Sequence, residues 1–374
     1  MNEKKKTTGQ LQFGEVDFKP IFTFLDYIVH RTLNIVPIVA IDFSLANLTF
    51  DNHKCIHSLK RGQPNDYRDV MGAICNAYRN IASYMVGFGF GAKIVPKTGR
   101  TSNCFAMNGN FFDPVVTDYP QLYKAYSESL QKVEISLPVN YETIFNIACD
   151  YAEYEKQNHE ARNYFVLIVV SAGVIDDFDA SYEAVSRAAD LPLSVLMVKV
   201  GNVQLEDVND PAEMITRSEE LFEECERRYV DIVSFEDFKE GGASAAFELE
   251  LIKRIPDQVQ KYMEKNSVFA YDLTAQDYVS RKSVAIKERK LEERKGTEEV
   301  KEEESEEAEE GEEGWKAGMF ADNERCLSFS NLLQERFMAA LQEHDNVNEG
   351  STLKKDAEEV IARGVLSEAE IDTL

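Results

Sequence analysis

The sequence predicts an α/β fold: a doubly wound, mostly parallel sheet flanked by helices, extended by a charged helical arm and a small C-terminal helical appendage. Three observations carry that prediction. Ile35–Ile41, Asn163–Val170 and Leu193–Val200 are near-continuous apolar runs rich in Ile, Val and Leu, the pattern of strands buried on both faces. Segments with apolar residues at helical spacing lie between them, and such alternation builds right-handed crossovers and a parallel sheet. Apolar residues make up 44% of the 374, enough for a sizeable core.

Residues 1–16 are polar and are expected to form a flexible N-terminus. From Asp17 to Arg31, Phe18, Ile21, Phe22, Phe24, Leu25 and Ile28 recur at helical spacing and lead into the first strand. That strand ends in Asp42-Phe43-Ser44-Leu45-Ala46-Asn47, placing an acid, a hydroxyl and an amide where open α/β sheets bind their ligands. A polar stretch follows to Asn65. His53 and His57 stand four apart in it, but the Asn, Gly and Pro around them predict a loop with both rings at the surface. Asp66–Tyr84 is read as a helix. Met85–Ala92 alternates with glycine at 87, 89 and 91, which predicts a strand that other groups approach closely. A phosphate-cradling loop is excluded there, because the third glycine is misplaced and no helix start follows.

Thr101–Met107 fits an antiparallel edge strand, and Tyr119–Val133 and Tyr141–Lys156 are helices. Ser171-Ala172-Gly173 closes the second buried strand, and Asp176-Asp177 opens a helix to Ala189 as partners for a helix dipole. After the third buried strand, a helix runs to about Arg228, Tyr229–Phe235 forms a last short strand, and Ala243–Met263 is read as one closing helix.

Beyond the folded part, 266–320 is expected to be a charged helix fading into an acidic low-complexity linker, and 321–374 a small helical region. Between residues 291 and 313 thirteen acids face three bases. Leu327, Leu332, Leu333, Phe337 and Leu341 restore apolar periodicity, followed by Leu353, Val360, Ile361, Val365 and Ile371. Asp345-Asn346-Val347-Asn348-Glu349-Gly350, with Asp356 twelfth, has the outline of a calcium loop. Val347 at the third position and the short Asp at the twelfth make it a plain turn.

A formal net charge of −26 argues against a nucleic-acid binder. The six cysteines are scattered without a C-x-x-C pair, as expected of reduced, partly buried thiols rather than disulfides or a zinc cluster. No run approaches the roughly 20 apolar residues that span a bilayer, no signal peptide or lipidation box is visible, and direct membrane insertion is not expected. The expected location is therefore cytoplasmic. No nucleophile elbow, paired catalytic carboxylates or cofactor fingerprint is found, so an enzyme is not expected.

With these elements in place, the chain resembles the von Willebrand A (vWA) domain of copines, a Rossmann-like fold. The resemblance is carried by Phe24-Leu25-Asp26-Tyr27-Ile28, Ala40-Ile41-Asp42-Phe43, Gln63-Pro64-Asn65-Asp66-Tyr67, Gly87-Phe88-Gly89-Phe90-Gly91-Ala92, Gly173-Val174-Ile175-Asp176-Asp177, Leu191-Pro192-Leu193-Ser194-Val195 and Val200-Gly201-Asn202. This ordered series covers about residues 17–240, and the copine-type vWA domain is drawn at 17–265. The family's C2 domains and the RING domain of its plant relatives find no counterpart, so neither calcium-dependent membrane binding nor ubiquitin ligation is expected.

The metal-ion-dependent adhesion site (MIDAS) of such domains takes Asp-x-Ser/Thr-x-Ser after the first strand, a later Thr and a later Asp. Asp42 and Ser44 match, but Ala46, Val139 and Ala172 stand at the other three positions. A hard cation needs oxygen donors and carboxylate charge, so the resemblance implies a degenerate site with no metal cofactor. Asp42, Ser44, Ala46, Asn47, Val139 and Ala172 are then expected to mark a metal-independent docking face for an unidentified protein partner, with Asp42 and Ser44 bonding neighbouring backbone. Such a protein suits a non-enzymatic scaffold, cytoskeletal or axonemal among its settings. The alternative is a divalent-cation-dependent binder, holding Mg or Ca on Asp42, Ser44 and Asp176 or on the weak loop at Asp345.

Overall fold

A computed structural model describes residues 21–30, 33–49, 54–60, 63–94, 100–158, 162–201, 211–239 and 244–270. The expectations for residues 1–16, His53, the charged arm, the C-terminal helices and the loop at Asp345 lie outside these residues.

The chain opens with α1 (Phe24–His30) and enters β1 (Asn34–Asp42), which is buried along its whole length. A short antiparallel pair, β2 (Leu48–Thr49) and β3 (Lys54–Cys55), precedes α2 (Asp66–Tyr78). Next come β4 (Met85–Phe90) and β5 (Ala92–Ile94), then the short β6 (Phe105–Ala106) and β7 (Val115–Val116). α3 (Tyr119–Lys132), β8 (Val133–Ile135) and α4 (Glu142–Asn158) lead to β9 (Asn163–Ser171) and α5 (Phe178–Ser186). The described part ends with β10 (Leu193–Lys199), α6 (Pro211–Arg217), α7 (Glu219–Glu224), β11 (Val230–Ser234), α8 (Ser244–Ile252) and α9 (Ile255–Lys265).

The main sheet runs β11-β10-β9-β1-β4-β6, with β7 also on β4. The pairs β11–β10, β10–β9, β9–β1 and β1–β4 are parallel, and β6 and β7 are antiparallel to β4, so the sheet is doubly wound and mostly parallel. Pro37 withholds a donor from the central strand, and the ladder to β4 begins only after it, at Ile38–Val86. From β1 the chain crosses to β4 on one side, and from β9 it crosses to β10 on the other. The order therefore reverses between β1 and β9, which sets a crevice at their carboxyl ends.

Alternate residues of the strands feed two cores. Val36, Ile38, Ala40, Phe88, Leu167 and Val169 pack with Ile144, Phe145 and Ala148 of α4 and Val185 of α5. Ile35, Val39, Ile41, Val166 and Ile168 pack with Val70 and Ile74 of α2, Leu122 and Tyr126 of α3, and Phe247 and Val259 of α8 and α9. Burying both faces is what a near-continuous apolar strand requires.

The expected helix over 243–263 is two helices, interrupted after Ile252 and restarted at Ile255 with Pro256 in its first turn, where a missing N–H costs nothing. The helix expected to end near Arg228 is likewise split into α6 and α7, and α2 stops at Tyr78, short of Tyr84. α1 carries a capping box: Thr23 and Asp26 exchange bonds of 2.7 Å (Thr23 N to Asp26 Oδ2) and 3.3 Å (Asp26 N to Thr23 Oγ1). Phe22 packs edge-on against Tyr27 at 5.9 Å as the accompanying hydrophobic staple. Cys75, Cys104, Cys149 and Cys225 are free thiols, and all but Cys75 are buried.

Candidate functional site

The crevice between β1 and β9 is built around the turn that leaves β1. The Asp42 carboxylate folds back on its own turn, its Oδ1 accepting from Ser44 N–H at 2.7 Å. Ser44 Oγ accepts from Ala46 N–H at 3.3 Å. Asn47 donates its amide to the carbonyls of Asp42 and Ser44, each at 3.0 Å, and its Oδ1 accepts from the Tyr67 hydroxyl. These are the local side-chain-to-backbone bonds that Asp, Ser and Asn favour in turns. Gly91 is needed beside them: its φ is +74°, and a Cβ there would stand 2.8 Å from Ser44 Cβ.

His57 completes the turn, and its position differs from the surface loop expected. It is buried, stacked on Tyr67 at 4.1 Å and on Phe43 at 5.3 Å. Its Nε2 lies 2.9 Å from the Asp42 carbonyl and its Nδ1 2.8 Å from the Tyr126 hydroxyl. A carbonyl only accepts, so the proton is assigned to Nε2, and Nδ1 accepts from Tyr126. Burial holds the ring neutral, its pKa lowered from 6.5 to about 3. Asn65 ties Tyr126 to the start of α2, donating to its hydroxyl at 3.2 Å and capping Arg68 N–H at 2.9 Å. Asn, Gly and Pro near His57 signalled a turn, and Ile56 and His57 do lie in one. The partners that bury the ring come from Tyr67 and Tyr126, distant in sequence, so no local pattern announced it.

Asp42 is fully buried, and its Oδ2 has no hydrogen-bond partner among the described residues. Burial raises its pKa from 3.8 to about 6, against the opposing pull of Ser44, the Ala172 backbone and Asn47. Across the crevice, Tyr141 bonds Ser171 Oγ, and burial followed by the nearby Asp42 holds its phenol well above the usual range. Sequence reasoning did not single out Tyr141, Tyr67 or Tyr126.

The two acids beyond β9 are already engaged. Asp176 Oδ2 accepts from Val139 N–H at 2.7 Å, while the Val139 carbonyl accepts from Asp176 N–H at 2.9 Å. Asp177 accepts from Tyr141 N–H and Glu142 N–H at 3.0 Å each, and from Ser181 Oγ at 2.8 Å. It therefore caps α4 and makes no side-chain cap on α5, the helix it precedes. The sequence placed both acids as partners for the start of α5; instead Asp177 caps α4 and Asp176 bonds the loop before it.

One carboxylate oxygen is unpaired, Ala46, Val139 and Ala172 offer no side-chain oxygen, and the displaced acids are bonded to backbone. Among the described residues no group of three or more His, Cys, Asp or Glu is placed to hold a metal. Of the six residues expected to mark the docking face, Asp42, Ser44, Asn47, Val139 and Ala172 are buried, and Ala46 is partly buried against the core. The large apolar side chains exposed at this edge are Leu45, at 40%, and Leu137, at 51%, beside the exposed Pro138 and Asp176. The two leucines are neighbours, since Leu45 N–H donates to the Ser136 carbonyl at 2.8 Å.

A family model described as Copine matches residues 55–270, beginning beyond β1 and the Asp42–Asn47 turn. Among curated proteins the chain is similar to nicotinic receptor-associated protein 1 of Caenorhabditis briggsae, at 26% identity over 280 residues. That alignment covers 70% of this chain and 43% of the relative, so the chain spans less than half the relative's length. Among solved structures it is similar to manganese-loaded Plasmodium vivax TRAP protein, at 12% identity and a TM-score of 0.32, covering 59% of this chain and 73% of that one. That likeness is too loose to bear on function.

Proposed function

Because the chain belongs to the copine family, we propose that it is a non-enzymatic protein-docking module whose sheet edge binds its partner without a metal ion. The observation that carries this reading is the state of Asp42: fully buried, with one oxygen bonded to Ser44 N–H, the other without a hydrogen-bond partner among the described residues, and the acids Asp176 and Asp177 engaged by backbone. A cation there would draw charge from one carboxylate alone, which is too little for Mg²⁺ or Ca²⁺. The docking elements are the loops that carry Ser44, Val139 and Ala172. Leu45 and Leu137 supply the exposed apolar contact at that edge, and the network beneath holds the loops in one arrangement. A relative named for association with a receptor supports a protein as the partner. A scaffold role, cytoskeletal or axonemal, suits such a module.

The test is affinity capture from native cells with and without EDTA, using the wild type and Leu45→Asp/Leu137→Asp. The expected result is a partner retained in EDTA and lost with the double variant. Loss of every partner in EDTA, with the double variant unaffected, would establish the cation-dependent alternative instead.

A further inference from the structure

A second exposed apolar feature lies away from that edge. Ile21, Leu25 and Val29 are 73%, 66% and 65% exposed; the four-residue spacing of Leu25 and Val29 sets them on one side of α1, and Ile21 stands in its lead-in. The inner side is fixed: Tyr27 is buried and its hydroxyl donates to the Val268 carbonyl at 3.0 Å, while Phe22 packs edge-on against Phe269 at 6.0 Å. The described chain therefore ends, at Ala270, beside α1.

We propose that the Ile21–Leu25–Val29 stripe is the seat of this chain's own segment around Leu333, Phe337 and Leu341. Those residues repeat the same four-residue spacing, in a stretch whose composition favours a helix, so an apolar stripe on each side is matched to the other. Residues 271–332 intervene, 62 in number; a flexible chain of that length has a root-mean-square span of about 45 Å, and it starts beside the seat. Tethering of this kind gives an effective concentration in the millimolar range, so an intrinsic affinity of about 0.1 mM keeps the segment docked. A second copy of the chain lacks that advantage. A stable dimer buries about 800 Å² per partner over roughly 20–30 residues, far more than three side chains on a seven-residue helix provide.

The experiment is hydrogen exchange read by mass spectrometry on the full chain, with size measured by light scattering. In Leu333→Glu/Phe337→Glu, the amides of α1 exchange about ten-fold faster than in the wild type, the ratio of effective concentration to affinity given above. In Leu25→Glu/Val29→Glu, the amides of 333–341 do the same, and both variants remain monomers. Unchanged α1 exchange in the C-terminal variant overturns the proposal, whether the stripe is bare or covered by residues 1–20. So does protection that fades on dilution together with a dimeric mass, which would make the occupant a second copy. If Leu25→Glu/Val29→Glu loosens α1 itself, the C-terminal variant still decides, because its substitutions leave α1 untouched.

Discussion

Asp42→Asn separates a metal-free edge from an ion site, because the two predict opposite signs. The folded Asp42 carboxyl has a pKa of about 6 against an ordinary 3.8, so the fold favours its neutral form. The stability contributed by that preference is fully present below pH 3.8, is lost as the pH rises to about 6, and stays lost above. At about 1.4 kcal/mol per pH unit the loss amounts to about 3 kcal/mol at neutral pH. The amide keeps the Oδ1 acceptor for Ser44 N–H and removes the ionisation. It places a buried NH₂ where Oδ2 stood, which costs about 1–3 kcal/mol if left unpaired. Compared with wild type, the Asp42→Asn variant is therefore less stable near pH 4, and equal or more stable by up to about 2 kcal/mol at pH 7.5.

Urea denaturation followed by circular dichroism at a series of pH values measures the difference. His57 titrates in the opposite sense. Held neutral in the fold, it costs stability as the pH falls from 6.5 toward about 3, and it cancels when variant and wild type are compared at one pH. Tyr141 stays neutral throughout the range. The expected result is a variant-minus-wild-type difference that climbs by about 2 kcal/mol between pH 4 and pH 6.5, unchanged by 5 mM Mg²⁺ or Ca²⁺. A flat or falling difference, or a melting temperature that Mg²⁺ raises in wild type and not in the variant, would refute the reasoning.

His57→Ala empties a ring-sized space and removes one of the bonds of the Asp42 carbonyl, which keeps Asn47, and one of the Tyr126 hydroxyl, which keeps Asn65. It should cost about 3 kcal/mol or more by denaturation and flatten the acid limb of the stability profile below pH 6.5. Gly89→Ala would set a Cβ 2.6 Å from Phe105 Cε2 and 2.7 Å from Phe43 Cε2; a loss of about 1–3 kcal/mol is expected, and an unchanged melting temperature would contradict the packing. Arg227 is buried with its guanidinium on the Tyr164 hydroxyl and the carbonyls of Ala188, Ala189, Leu191 and Leu193. Arg227→Met removes the guanidinium from those carbonyls, of which Ala188 and Leu191 keep only the backbone donors Leu191 N–H and Leu193 N–H, and should lower stability by about 3 kcal/mol, with Arg227→Lys failing to restore it because an ammonium lacks the planar fork.

The strands were the most legible part of the sequence because a doubly buried strand writes its burial into every residue. Ile35–Ile41 and Asn163–Val170 read that way and lie side by side in the sheet. The glycines at 87, 89 and 91 were legible as points of close approach, and Gly89 and Gly91 show why, against Phe105 and Ser44. Helix interruptions were harder. Apolar periodicity runs through Lys253 and Arg254 unbroken, and Pro256 opens α9 without disturbing the pattern around it. Of the site, Asp42, Ser44 and Asn47 were legible because Asp, Ser and Asn after a buried strand act on nearby backbone. His57 was not, since its burial is set by rings from α2 and α3. A polar neighbourhood says only that the chain turns, not which way the turn folds.

The proposed metal-free edge also sets what sort of partner it can hold. In an ion-bridged contact a partner's carboxylate gains from the metal's charge. Here the same group would meet the acids Asp42, Asp176 and Asp177 with no cation to offset them, and would surrender its hydration for nothing. An apolar side chain faces no such penalty. Against Leu45 and Leu137 it gains about 25 cal/mol for each Å² taken from water. The network under them, from Asp42 through His57 to Tyr126, holds the loop that carries Leu45 in place, so little entropy is lost when a partner arrives. On this reading the partner presents an aliphatic or aromatic anchor, and substituting a carboxylate for that anchor should abolish capture at any concentration of divalent ion.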